Sequence, residues 1–279
     1  MPPSFASNAG DPTIRAVGVT ADAFSAVANE YERGRPGYPS AGIDHLSREL
    51  ELGANSVVVD LAAGTGKLTR DLAARYGRVI AIEPLGEMRA VIERALPAVD
   101  AVRGSAEEMP LAPASADAVF VAQAFHWFDG PRALAEIARV LREGGGLALL
   151  WNSTPWENRE GPWFSALDDL LEQSRADLST LRRHGSGEWR RAFDGDHAFG
   201  PLQYAEFENP QRATRADFLA ALASRSYVAS MDAADRRQFL AEVERLLERD
   251  DAPLEGDDVV MPLRTYVFWT RLRSPGLSR

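Results

Sequence analysis

The residue types with the clearest chemical use fall in one stretch, 56–83, which reads SVVVDLAAGTGKLTRDLAARYGRVIAIE. Two acids bracket it, Asp60 and Glu83, 23 residues apart, and a run of small residues follows the first: Ala62, Ala63, Gly64, Thr65, Gly66. Glycine lets a backbone approach a ligand where a Cβ would clash. The opening turn of a helix behind such a loop presents free N–H groups. An acid closing the next strand can accept both hydroxyls of a ribose, through charge-assisted bonds worth roughly 1.5–3 kcal/mol each. The chemistry these spacings serve is nucleoside binding. A second group, Gln123-Ala124-Phe125-His126-Trp127-Phe128-Asp129, combines three aromatics with a histidine. A neutral imidazole there could take a proton from a hydroxyl, which makes His126 a candidate base. Of the four histidines (His45, His126, His184, His197), it alone falls at the edge of an expected strand.

These residues need elements to hold them. Val57, Val58 and Val59 form a continuous apolar run that suits a strand covered on both faces. After the small-residue loop the period changes, with Leu68, Leu72 and Tyr76 on one helical face beside Ala73. Gly77 stands where a left-handed cap would end that helix. A second apolar run, 79–82, ends in Glu83. Strand, tight loop, helix, strand is the plan of a nucleotide-binding βαβ unit, whose ligand lies at the carboxyl ends of the strands. Helices are also expected from Ser40 through Ile43, Leu46 and Leu50, and through Met88, Val91, Ile92 and Ala95, the latter stopped by Pro97. A short strand near 101–103 and a fourth at 117–121 follow, and the fourth runs into the aromatic group. The helix 131–142 buries Leu134, Ile137, Ala138 and Leu141, and the strand 147–151 ends in Trp151.

Two nucleotide loops can be set aside. A phosphate-binding loop needs glycine five residues before Gly66 and Ser or Thr after Lys67, where this chain has Leu61 and Leu68. The dinucleotide fingerprint would put its third glycine at Thr69. What remains is Asp60, Ala62, Gly64, Gly66, an acid followed by small residues at every second position. This resembles the first motif of class I S-adenosylmethionine-dependent methyltransferases, which usually have glycine at the place of Ala62. Alanine is tolerated there if its φ stays negative. Gln123-Ala124-Phe125-His126-Trp127-Phe128 is similar to a string in trans-aconitate methyltransferase-like proteins, and 141–146, LREGGG, resembles a further family turn.

The resemblance implies a Rossmann-like α/β fold, a seven-stranded mostly parallel sheet of order 3-2-1-4-5-7-6 with strand 7 antiparallel. It implies S-adenosylmethionine as cofactor and S-adenosylhomocysteine as product. Tyr31 and an arginine of the same segment, Arg35 or Arg33, would fold over the methionine end, where a guanidinium suits a carboxylate. Ala106 and Glu107 would hold the adenine, and Gln123 would line the same pocket. The aromatic wall of Phe125, His126, Trp127 and Trp151 would face the acceptor and could steady a sulfonium by about 0.5–2 kcal/mol.

The chain has 279 residues, 45% of them hydrophobic and 26% charged, as in a soluble globular protein. No apolar run reaches the roughly 18–20 residues that cross a membrane, and no signal pattern opens the chain, so a cytoplasmic home is expected. The absence of cysteine excludes disulfides and thiolate metal sites, and no metal site is expected. Lys67 is the single lysine against thirty arginines, which leaves Schiff-base chemistry almost no residue to use. A net charge of −10 argues against a nucleic-acid partner. Residues 231–258 hold ten acids and four arginines, read as a solvated helix and loop.

Three regions are expected: a loose arm at 1–20, a cofactor-binding core with N-terminal helices at 21–152, and the remainder at 153–279. The last completes the sheet with strands near 202–207 and 265–270. Between them two helices, 215–223 and 233–249, form a helical cap over the acceptor, with Arg225 and Tyr227 between the helices. The expected activity is methyl transfer to a small-molecule carboxylate or hydroxyl, by a monomer or homodimer. The alternative is a natural-product cyclase that binds the cofactor without spending its methyl group.

Overall fold

The apolar runs become the middle of one sheet. In the computed structural model the described residues are 36–153, 161–173, 188–195, 197–223, 228 and 231–273. In chain order the strands are β1 (Val57–Leu61), β2 (Arg78–Ile82), β3 (Asp100–Val102), β4 (Ala116–Ala122), β5 (Leu141–Ser153), β6 (Gln203–Glu208), β7 (Gln211–Thr214), β8 (Leu254–Glu255), β9 (Asp258–Met261) and β10 (Arg264–Arg271). The helices are α1 (Ser40–Glu49), α2 (Lys67–Ala73), α3 (Gly86–Ala95), α4 (Gly130–Val140), α5 (Pro162–Gln173), α6 (Arg215–Ala223) and α7 (Ala233–Leu247). Seven strands pair in the order β3-β2-β1-β4-β5-β10-β6. Neighbours from β3 to β5 run parallel, and β10 is antiparallel to both β5 and β6. That is the expected order, with β10 standing as strand 7, between β5 and β6.

Side chains alternate across the sheet, so each strand feeds two cores. Val59, Leu61, Ile80, Val119 and Val121 face Leu134 and Ile137 of α4, with Trp151, Trp189 and Phe268 in the same cluster. Val58, Phe120 and Leu150 face Ile43 and Leu46 of α1 and Leu68 and Leu72 of α2. Asp60 shares the face of Val58, and that parity puts its carboxyl beneath α2. Gly146 is fixed by the approach of α1: a Cβ there would lie 2.4 Å from Cδ2 of Leu50.

The helix expected over 131–142 stops at Val140, because Leu141 leaves it to pair with Ala116 at the start of β5, ahead of a register shift. The inserted helices fall where their periodicity puts them. They are joined by α5 and by a three-stranded antiparallel sheet, β7-β9-β8, that the sequence did not announce. Trp163, Leu167 and Leu171 of α5, Phe218 and Leu222 of α6, Phe239 and Val243 of α7 and Val259 of β9 share a core of their own. Among the described residues no helix is long and apolar enough to cross a membrane.

Candidate active site

The loop between β1 and α2 is tied to β2 by the Ala63 N–H, which donates to the Ile82 carbonyl (3.1 Å). Gly64 and Gly66 take positive φ, +58° and +86°. A Cβ on Gly66 would press on Ile92 at 3.0 Å, whereas one on Gly64 would meet nothing within 4 Å. The second glycine thus serves packing, and the first borders open space. Ala62 departs from expectation: its φ is +58°, not negative. The loop takes the same left-handed turn that glycine would allow, and the methyl group bears the strain, about 1–2 kcal/mol.

Glu83 is buried and turns back onto this loop. Its Oε2 accepts the Gly64 N–H (2.9 Å) and its Oε1 accepts the Leu85 N–H (3.0 Å). Burial pushes its carboxyl up, against the pull of those two N–H groups and of the Arg89 guanidinium. Arg89 itself donates to the carbonyls of Glu83 (2.7 Å) and Pro84 (2.9 Å). Each carboxylate oxygen retains acceptor capacity. Asp60 is buried beside it, its Oδ2 accepting from the Thr69 hydroxyl (2.6 Å) while Oδ1 has no hydrogen-bond partner. Desolvation, partly offset by Thr69 and reinforced by the charge of Glu83, raises this carboxyl to about 7. A buried acceptor without a partner calls for a donor. With the open face of Gly64 and the spare lone pairs of Glu83, it makes these residues a fit for a nucleoside bearing a cationic amino acid tail.

At the ends of β3 and β4 the expected residues divide. Ala106 is buried, and Oε1 of Glu107 accepts the Asp129 N–H (3.0 Å), which ties the β3 end to the start of α4. Gln123 has φ +59° directly after β4; its N–H donates to the Leu150 carbonyl (2.8 Å) and its Nε2 to the Asn152 carbonyl (3.3 Å). Phe125 is 1% exposed and packs on Phe128, Trp189 and Phe193, so its ring belongs to the core and not to a pocket wall. Trp127 is 43% exposed. His126 lies against it, ring centroids 4.8 Å apart, and its Nδ1 accepts the Trp151 indole N–H (3.4 Å). Trp151 is 2% exposed and sits behind that histidine, on Trp189 at 4.5 Å. Tyr31, Arg35, Arg225 and Tyr227 lie outside the described residues.

One group escaped the sequence. Nδ2 of Asn209 shares its two protons among the Gly37 carbonyl (2.9 Å), Oδ1 of Asn152 (3.1 Å) and Oγ1 of Thr265 (3.1 Å). The Thr265 hydroxyl donates to the same Asn152 oxygen (2.5 Å), and Nδ2 of Asn152 donates to Gly37 (3.0 Å). Asn209-Pro210 reads locally as a turn, and only the cross-strand register of Asn152 and Thr265 brings the three side chains together. Trp189 and Phe193 were missed for a similar reason, since four residues of spacing inside a polar stretch is a thin signal.

The sheet order and the loop–acid pair define a class: a Rossmann-like α/β protein with a glycine-bearing loop and a buried acid side by side at the carboxyl ends of β1 and β2. Comparison with known proteins agrees. The family described as "Methyltransferase domain" matches residues 59–149. An uncharacterized methyltransferase of Mycobacterium tuberculosis is 37% identical over 252 residues, 87% of this chain and 92% of that protein. An uncharacterized methyltransferase-like protein of Schizosaccharomyces pombe is 30% identical, covering 88% and 93%. A solved structure from Anaeromyxobacter dehalogenans, described as a candidate type II methyltransferase, superposes with a TM-score of 0.56 at 29% identity, over 85% of this chain and 96% of that one. The chain belongs to the methyltransferase family and is a class I S-adenosylmethionine-dependent enzyme.

Proposed function

We propose that this methyltransferase acts on an oxygen of a small-molecule acceptor, a carboxylate or a hydroxyl, and that it works chiefly by positioning and by excluding water. The observation that carries the reading is Glu83 folded back onto Gly64, with both oxygens still able to accept. In this reading Glu83 grips the ribose hydroxyls, and the backbone at Ala62, Gly64 and Gly66 lets the tail of the cofactor pass. Asp60 offers Oδ1 to its ammonium group. Ala106 and Glu107 border the adenine, Gln123 borders the sulfur, and Tyr31 with Arg35 closes over the carboxylate. The bound cofactor supplies an electrophilic methyl group on a sulfonium.

Aligning that group with an acceptor can contribute roughly 7–11 kcal/mol by orientation alone. His126 and Trp127 at the β4 edge would meet the acceptor, together with Arg225 and Tyr227 from the inserted unit, while Phe125 and Trp151 support them from behind. Likeness of 123–128 to the trans-aconitate methyltransferase-like proteins supports an oxygen acceptor, and the net charge of −10 favours a small molecule over nucleic acid. The test is to incubate purified protein with methyl-labelled S-adenosylmethionine and a panel of small carboxylic acids, phenols and alcohols. The reading expects label in a methyl ester or ether. Label found only in protein or nucleic acid would contradict it.

A further inference from the structure

The indole N–H is the one polar group of a tryptophan, and it only donates. In Trp151 it points at Nδ1 of His126, 3.4 Å away. A donor aimed at that nitrogen needs a lone pair there, so the neutral ring carries its proton on Nε2. The indole has little freedom to turn aside. It lies at 4.5 Å and 31° on Trp189 and at 5.7 Å and 74° on Phe268, and β5 is paired with Tyr266 of β10 at this register.

We infer that Trp151 is a positioning residue that holds His126 in the Nε2–H tautomer, so that His126 meets the acceptor as a hydrogen-bond donor and not as a base. The inference rests on the reading of the β4 edge as the acceptor side, and it deepens that reading. A base needs a lone pair directed at the departing proton. Nε2 has none in this tautomer, and the lone pair of Nδ1 is taken by the indole. The acceptor that suits such a ring reacts without giving up a proton. When a carboxylate oxygen is methylated, one O–C bond forms, one C–S bond breaks with its electron pair left on sulfur, and no proton moves. The second carboxylate oxygen remains to accept from Nε2–H. A neutral hydroxyl would release a proton that this histidine is not set to receive.

The test is a long-range proton–nitrogen spectrum of the full chain labelled with nitrogen-15 histidine, with the His126 signals assigned by their loss in His126→Gln. The expected result, without cofactor or acceptor at neutral pH, is a protonated Nε2 and an unprotonated Nδ1. In Trp151→Phe, which keeps an aromatic ring in the core, the His126 signals should move toward a mixture of tautomers. A wild-type ring with its proton on Nδ1, or a tautomer unmoved in Trp151→Phe, would overturn the assignment. A second arm measures turnover. On a carboxylate acceptor, His126→Gln, which retains an N–H donor, should stay nearer the wild type than His126→Ala. The alanine variant should lose roughly tenfold, mainly in KM. Hydroxyl methylation that rises with pH through a single ionisation lost in both variants would make the ring a base and overturn the inference. The spectrum is read with no acceptor present, so failure of the acceptor reading and failure of the tautomer give different results.

Discussion

Asp60 lies beneath α2 with one oxygen on the Thr69 hydroxyl and the other without a partner, and burial lifts its carboxyl from 3.8 to about 7. The unfolded chain gives up this proton near 3.8 and the folded chain near 7. The stability linked to the group is therefore full below the lower value and is lost as pH rises through the upper one. Asp60→Asn removes the titration but keeps the shape. Between about pH 5 and about pH 8 the variant should gain on the wild type in urea midpoint; a constant difference across that range would contradict the burial argument. Ala62 gives a test of opposite simplicity. Its left-handed φ costs about 1–2 kcal/mol, and glycine gives back roughly 0.5–1 kcal/mol of that in lost chain freedom. Ala62→Gly should raise stability by about 0.5–1 kcal/mol in thermal melting, and a lower melting temperature would show that the methyl group packs favourably.

Between elements, Asn152, Asn209 and Thr265 form a polar clasp. It joins the approach to α1 at Gly37, the ends of β5 and β10, and the stem that leads from β6 into the inserted unit. The Asn209 N–H also donates to the Leu263 carbonyl on the return strand of that stem (2.9 Å). Asn209→Ala strips a donor from the buried Thr265 hydroxyl and from the part-buried Gly37 carbonyl, at a cost of about 1–3 kcal/mol, read by chemical denaturation. A change below about 0.5 kcal/mol, the range of ordinary surface substitutions, would mean that water replaces the amide without loss. Elements of this size differ in how plainly they announce themselves. Helix α6 lies at 215–223 as expected because Phe218 and Leu222 mark one buried face. Strands β7 and β9, four residues each, are too short for a period of two to stand out, and QRAT carries one apolar residue. Leu141 reads as the last apolar position of a helix, and only its pairing with Ala116 takes it into β5.

Across the whole molecule, a seven-stranded sheet carries the loop–acid pair at β1 and β2 and the aromatic group at the end of β4, the proposed cofactor and acceptor sides, and a second small core stands on the stem beyond β6. The contact of Glu83 with the glycine loop was legible in the chain, because an acid, a small-residue loop and a closing acid are local features tied to one βαβ unit. The group at the end of β4 was legible only in part. The aromatics of 123–128 looked alike in sequence, yet the turn at Gln123 sends Phe125 inward, leaves Trp127 outside and sets His126 on Trp151. Which way each ring faces depends on a positive φ and on Trp189, and neither leaves a local mark. Calorimetric titration of S-adenosylmethionine into wild type and Glu83→Ala tests the central claim most directly. The account predicts saturable one-site binding to the wild type and a loss of at least roughly tenfold in affinity for the variant, with S-adenosylhomocysteine behaving alike. Equal affinity in both proteins, or no binding to either, would contradict it.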